Sequence, residues 1–210
     1  MVLLLKPAAM STASVITRGP RLRRPAFDRE RGVEIAQALF HARGYDAVGI
    51  AELTHALDIV PPSLYAAYGS KLALFERTLQ RYAEQNALPL EQLLASDAHP
   101  VDVLTNVLVE AARQYTQDVA RRGCMVTEAM RADDPQAAAA AAALAEPGIA
   151  AIRTYVRKFL SPSKAERVAD YMLLTLRGIS SYACLGTSQA KLVNCAKVAA
   201  HALDGEFPAR

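Results

Sequence analysis

The sequence has only three cysteines, Cys124, Cys184 and Cys195, and no C-x-x-C pair among them. An odd, widely spaced set builds no disulfide framework and supplies no zinc site, and it suits a reducing compartment. No stretch approaches the roughly 20 apolar residues needed to cross a bilayer. The opening Met1-Val-Leu-Leu-Leu-Lys-Pro is too short for a signal h-region and has no basic segment before it. These absences predict a soluble cytoplasmic protein with no membrane partner. Catalytic signatures are also missing: there is no H-E-x-x-H, G-x-S-x-G or phosphate loop, and His41, His55, His99 and His201 are scattered. No metal ion or cofactor is expected, and an enzyme using Cys124 would need a base supplied from elsewhere in the fold.

What charge there is lies unevenly. The net charge is +3, but residues 1–81 carry 11 Lys+Arg against 7 Asp+Glu, while the remainder carries 13 against 14. The basic excess at the N-terminal end is where a polyanion would be met.

Apolar residues recur at helical spacing almost throughout and nowhere alternate with period two, so the fold class is all-α with about nine helices. Asp28 caps the first, which stops at Gly44. Ile50, Leu53 and Leu57 mark one face of a short second helix; Leu64 and Tyr68 mark a third, ended by Gly69. Ser70 caps a fourth that carries Phe75, Leu79 and Tyr82 inward. Residues 95–99 read as a connector, after which the helices lengthen. Asp134-Pro135 and Ser161-Pro162 are cap-then-N1 signals, and Pro147-Gly148 is expected to kink or split the helix it interrupts.

Residues 49–69 give the order short helix, three-residue turn (Asp58, Ile59, Val60), short helix. That is the helix-turn-helix arrangement, whose second helix enters the major groove. Spacing alone also fits three packed helices with no nucleic-acid role. By helical geometry Leu64 and Tyr68 face inward, Pro61, Pro62, Tyr65 and Ala66 face outward, and Ser63 lies near the boundary.

The wording is more specific than the spacing. F-D-R-E-R-G-V-E-I-A-Q-A-L-F-H-A-R-G-Y-D-A, then I-A-E-L-T-H-A-L-D-I-V-P-P-S-L-Y-A-A-Y-G-S-K-L-A-L-F, resembles the N-terminal domain of the TetR family of bacterial transcriptional repressors over residues 26–86. The resemblance implies a larger C-terminal domain that binds an inducer and dimerises. It also implies a division into a disordered basic arm (1–25), a DNA-binding domain (26–86) and a regulatory domain (87–210). Four positions depart from the family pattern. Val48-Gly49 replaces the Thr or Ser that commonly opens the second helix, Asp58 replaces a turn glycine, Val60 a capping serine, and Ala67 a residue such as His. Pro61 partly replaces the cap, holding Val60 extended and presetting helical φ.

The expected DNA-contacting set is therefore Gly49, Pro61, Pro62, Ser63, Tyr65 and Ala66, with Lys71, which resembles the family's phosphate-binding lysine. Arg23 and Arg24 join it from an arm that tracks phosphates or enters a minor groove. Tyr115, Cys124, Met125, Met130, Tyr155 and Phe159 are candidates to line a cavity for an apolar or electrophilic inducer; ordinary core is the alternative. Cys124 opens a short helix just after Arg121 and Arg122, which would favour a thiolate. Met172, Leu176, Ile179 and Ala183, with Leu192, Ala196 and Ala199, are candidates for a four-helix homodimer interface, or else close the chain's own core. The implied function is a homodimeric, ligand-released repressor on double-stranded, near-palindromic operator DNA. The competing reading is a helical ligand-binding or scaffolding protein without specific DNA binding.

Overall fold

The computed structural model describes residues 27–208, so the arm with Arg23 and Arg24 lies outside the described residues. Among those described the secondary structure is entirely helical. The elements are α1 (Arg29–Arg43), α2 (Ile50–Ala56), α3 (Pro61–Tyr68), α4 (Lys71–Asn86), α5 (Leu90–Leu94), α6 (Pro100–Gln114), α7 (Met125–Ala129), α8 (Pro135–Arg157), α9 (Pro162–Cys184) and α10 (Gln189–Ala200), closed by a 3-10 turn, His201–Leu203.

Local chemistry sets most boundaries. The Asp28 carboxylate accepts from Arg31 N–H at 3.1 Å, Ser70 Oγ from Ala73 N–H at 3.0 Å, and Asp134 from Gln136 and Ala137 N–H at 2.9 and 3.1 Å. Each satisfies donors that a helix start leaves without partners. Ser161 makes no such bond; Pro162 at N1, after an extended Ser161, starts α9 through backbone geometry alone.

Two expectations are corrected. Residues 95–99 do form the connector before α6, but a short extra helix, Leu90–Leu94, precedes them as α5, so the count rises from about nine to ten among the described residues. Nor does Pro147-Gly148 split its helix, since α8 runs unbroken through Pro147. The proline removes one hydrogen bond, while Ala137 and Ala141 before it and Ile152, Tyr155 and Val156 after it are all buried. Packing at both ends outweighs the local cost.

The core has two parts. Helices α1–α4 enclose Phe40, Tyr45, Leu53, Leu64, Phe75 and Leu79, and this cluster continues into α7 and the first half of α8 through Met125, Val126, Ala137 and Ala141. The second gathers α6, the end of α8, α9 and α10 around Leu104, Leu108, Ile152 and Met172. Polar contacts also join the front helices to the rest. The Asp46 carboxylate accepts from Asp133 and Asp134 N–H at 2.8 and 3.4 Å, and His41 Nε2 donates to Gly123 O at 3.2 Å.

Candidate nucleic-acid interface and ligand cavity

The turn between α2 and α3 needs a left-handed residue, and Asp58 takes it at φ +50°, the one non-glycine with positive φ among the described residues. Val60 is extended (φ −93°, ψ 156°) and offers no side-chain cap. How α3 starts without one follows from its donors. Pro61 and Pro62 have no N–H, so two of the four donors that normally need partners are absent. The next two, Ser63 N–H and Leu64 N–H, both reach Val60 O, at 2.9 and 3.2 Å.

That start fixes the face presented. Leu64 and Tyr68 are buried, whereas Pro61, Pro62, Ser63, Tyr65 and Ala66 are exposed, Tyr65 by 47%. Ser63, expected near the boundary, is on the open side. Tyr68 anchors α3 to α1: its hydroxyl donates to Arg29 O at 2.9 Å, and its ring meets Phe27 edge-on at 6.0 Å. A Cβ on Gly32 would lie 2.0 Å from that hydroxyl, so this glycine, which sequence reasoning passed over, permits the approach. Gly49 precedes α2 with open space around its Cα, and nothing steric there excludes the serine or threonine the family pattern favours. The Lys71 ammonium rests 4.0 Å from the Tyr45 ring centroid. Partial burial lowers its pKa, opposed by Asp46 and Asp134. Reaching a DNA phosphate would cost that cation–π contact, about 0.5–1 kcal/mol at an exposed site.

Behind α4 lies an apolar cavity of about 600 Å³ between α5, α7, α8 and α9. Tyr115, Cys124 and Met130 line it, as expected from the sequence. Met125, Tyr155 and Phe159 do not. Met125 is buried in the front core, while Tyr155 and Phe159 meet at 5.3 Å with tilted rings in a separate aromatic cluster with Phe207. Sequence reasoning missed Tyr82, Leu144, Ile149 and Arg177 as lining residues; their helical spacing reads as ordinary core until the helices are placed. Burial raises the pKa of the Tyr82 and Tyr115 phenols, and the adjacent Cys124 adds to this. At neutral pH both remain protonated donors at the polar corner of an apolar space. The two arginines before Cys124 are engaged elsewhere: Arg121 pairs with Asp118 at 2.7 Å, and Arg122 donates to Thr187 O at 3.0 Å. Cys124 N–H instead donates to Ser180 Oγ at 2.9 Å, and that hydroxyl donates to Glu128 at 2.7 Å.

The candidate interface residues are also redistributed. Met172, Ile179, Ala183, Leu192 and Ala196 are fully buried in the chain's own core, because α9 and α10 turn these faces onto α6. Leu176 lines the cavity, and Ala199 packs half-buried against the core, its carbonyl accepting from Tyr171 Oη. A different stripe is open. On α9, Leu174, Tyr182 and the following Leu185 are exposed, with Gly178 among them; on α10, Val198 is exposed beside Cys195 and Asn194.

Residues 33–78 match the profile of the bacterial regulatory proteins of the tetR family. The HTH-type transcriptional repressor BdcR of Escherichia coli is 40% identical over 177 residues, covering 84% of this chain and 89% of BdcR. The repressor ComR of the same organism is 27% identical over 187 residues. Among solved structures, a cysteine mutant of the TetR family transcriptional regulator CifR, complexed with 26-bp double-strand operator DNA, superposes with a TM-score of 0.73. It is 31% identical and spans 86% of this chain and 99% of its own. A regulator from Chloroflexus aurantiacus shares the fold at a TM-score of 0.70 and 22% identity. By sequence, helix order and turn geometry, this chain belongs to the TetR family of bacterial transcriptional regulators.

Proposed function

We propose that the chain is a repressor that holds a near-palindromic operator as a two-fold dimer and lets go when a small molecule fills the cavity behind α4. The observation that carries this reading is the open face of α3, on a chain 31% identical to one solved on its operator. Residues 26–86 serve contact with DNA and 87–210 serve ligand and partner. Pro61, Pro62 and Ala66 meet thymine methyls, Ser63 offers one hydroxyl to a base edge, and Tyr65 binds a phosphate. Gly49 brings the start of α2 to the backbone, and Lys71, Arg23 and Arg24 add charge. Relatives named as repressors support a regulator rather than a catalyst.

The cavity suits a mainly apolar molecule with a hydrogen-bond acceptor at one end, placed against the Tyr82 and Tyr115 hydroxyls. Filling it displaces α4, and with it α3, so that the two recognition helices no longer match half-sites roughly 34–36 Å apart. An electrophilic inducer would be captured by Cys124, and Cys124→Ser would then abolish operator release by electrophiles while leaving operator binding intact.

The deciding measurement is binding to the DNA upstream of the chain's own gene, titrated with salt. Sequence-specific binding that weakens with salt is expected. Binding indifferent to sequence, or none, would instead favour a ligand-binding protein without an operator.

A further inference from the structure

The apolar cavity behind α4 has polar groups at two places, one at each end of α7. Tyr82 and Tyr115 meet Cys124, the N-cap of that helix. At the other end stands its C-cap, Met130, to whose Sδ Arg177 Nη2 donates at 3.8 Å; Met130 and Arg177 both line the cavity. The step from Cys124 to Met130 sets the two places about 9 Å apart at helical rise. Arg177 differs from its neighbours in its pairing. Every other arginine of residues 87–208 has a carboxylate or a backbone carbonyl as partner, whereas among the described residues Arg177 has the Met130 thioether alone. A thioether is a weak acceptor and leaves the charge of a guanidinium uncompensated.

We infer that the cavity takes an apolar monocarboxylate, its carboxylate on the Arg177 guanidinium at the Met130 end of α7 and its body running along the apolar lining toward the two phenols. This rests on the cavity being the ligand site proposed above, and it narrows the class of molecule held there. A carboxylate matches the fork of guanidinium N–H donors with two parallel bonds, which a single alcohol or ester oxygen does not. Leu144, Ile149 and Leu173 cover the body, and the phenols remain for a second oxygen at its far end. Among the described residues Glu91, on α5, is the other charged side chain of the lining. It forms no ion pair with Arg177, so the guanidinium stays open to an external anion, while Glu91 itself would suit an amine.

The test is calorimetric titration of the full chain with octanoate and decanoate, with octanol and octylamine as the neutral and cationic counterparts. Octanoate is expected to bind with one site per chain and at least about tenfold more tightly than octanol, the difference made by charge-assisted hydrogen bonds. Arg177→Met should bring the acid down to the alcohol's affinity and leave the alcohol unchanged; Arg177 is exposed, so this variant keeps the fold. Ala145→Phe, checked for wild-type helicity, fills the cavity from α8 and should abolish binding of both. Octanol that binds as tightly as octanoate, and is lost in Ala145→Phe, overturns the carboxylate while leaving the cavity as the ligand site. Octylamine binding most tightly moves the charged contact to Glu91 and overturns it too. No binding of any probe, or acid binding that survives Arg177→Met or Ala145→Phe, overturns it equally.

Discussion

Tyr65 and Ser63 stand two residues apart on α3, and the proposed contacts give them opposite signatures. Tyr65→Phe removes a phosphate hydrogen bond and should weaken operator and random DNA alike, by about 0.5–1.5 kcal/mol. Ser63→Ala should spare random DNA and relax preference at one or two base pairs; competition binding against single-base operator variants distinguishes the two. His41 supplies a pH prediction. Burial, the largest effect, lowers its pKa below the ordinary 6.5; Arg121 lowers it further, while the bond to Gly123 O and Asp118 oppose. The folded chain therefore takes up this proton less readily than the unfolded one. Stability is full above pH 6.5 and falls as the pH drops below it. Chemical denaturation between pH 7.5 and 5 should show this loss in the wild type and a shallower one in His41→Gln, whose amide can still donate to Gly123 O.

Elements bring in what a residue-by-residue reading leaves out. Asp28, Gly44, Ser70 and Asp134 mark helix ends by chemistry local to a few residues, so α1, α4 and α8 were legible in advance. Pro147 misled because its breaking tendency is local, whereas the packing that carries α8 through it comes from distant helices. Gly123, between α6 and α7, takes φ +79°, and that is only part of its role. A Cβ there would lie 2.5 Å from Cys184 Sγ and 3.1 Å from Ser180 O, both on α9. Gly123→Ala should cost about 1–3 kcal/mol in unfolding free energy. Adding Cys184→Ala should restore part of that, because the thiol is removed while the backbone strain stays. Full restoration would mean that the φ requirement at Gly123 carries no cost. The same limit explains the candidate sites. The open face of α3 follows from periodicity within one helix, whereas the cavity exists only where helices far apart in sequence meet.

For the molecule as a whole, the buried faces of α9 and α10 leave an exposed apolar stripe, with Leu174 at 71% and Val198 at 68% exposure. Periodicity marked the inner faces of these helices and was silent about which outer face meets a partner. A second copy placed on this stripe would give the two-fold arrangement that paired half-sites require. Leu174→Asp with Val198→Asp should yield a folded monomer by sedimentation and cost most of the operator affinity, since one recognition helix alone holds one half-site. A dimer that persists in this double variant would place the interface elsewhere.

One side chain has consequences beyond its own neighbourhood. Tyr82 lines the apolar cavity and packs edge-on against His41 at 5.1 Å. An occupant of the apolar cavity that moves this ring also moves the surface against which His41 packs. Ligand and proton then share one coupling free energy, so whatever factor the ligand imposes on the protonation of His41, protonation returns on the ligand's affinity.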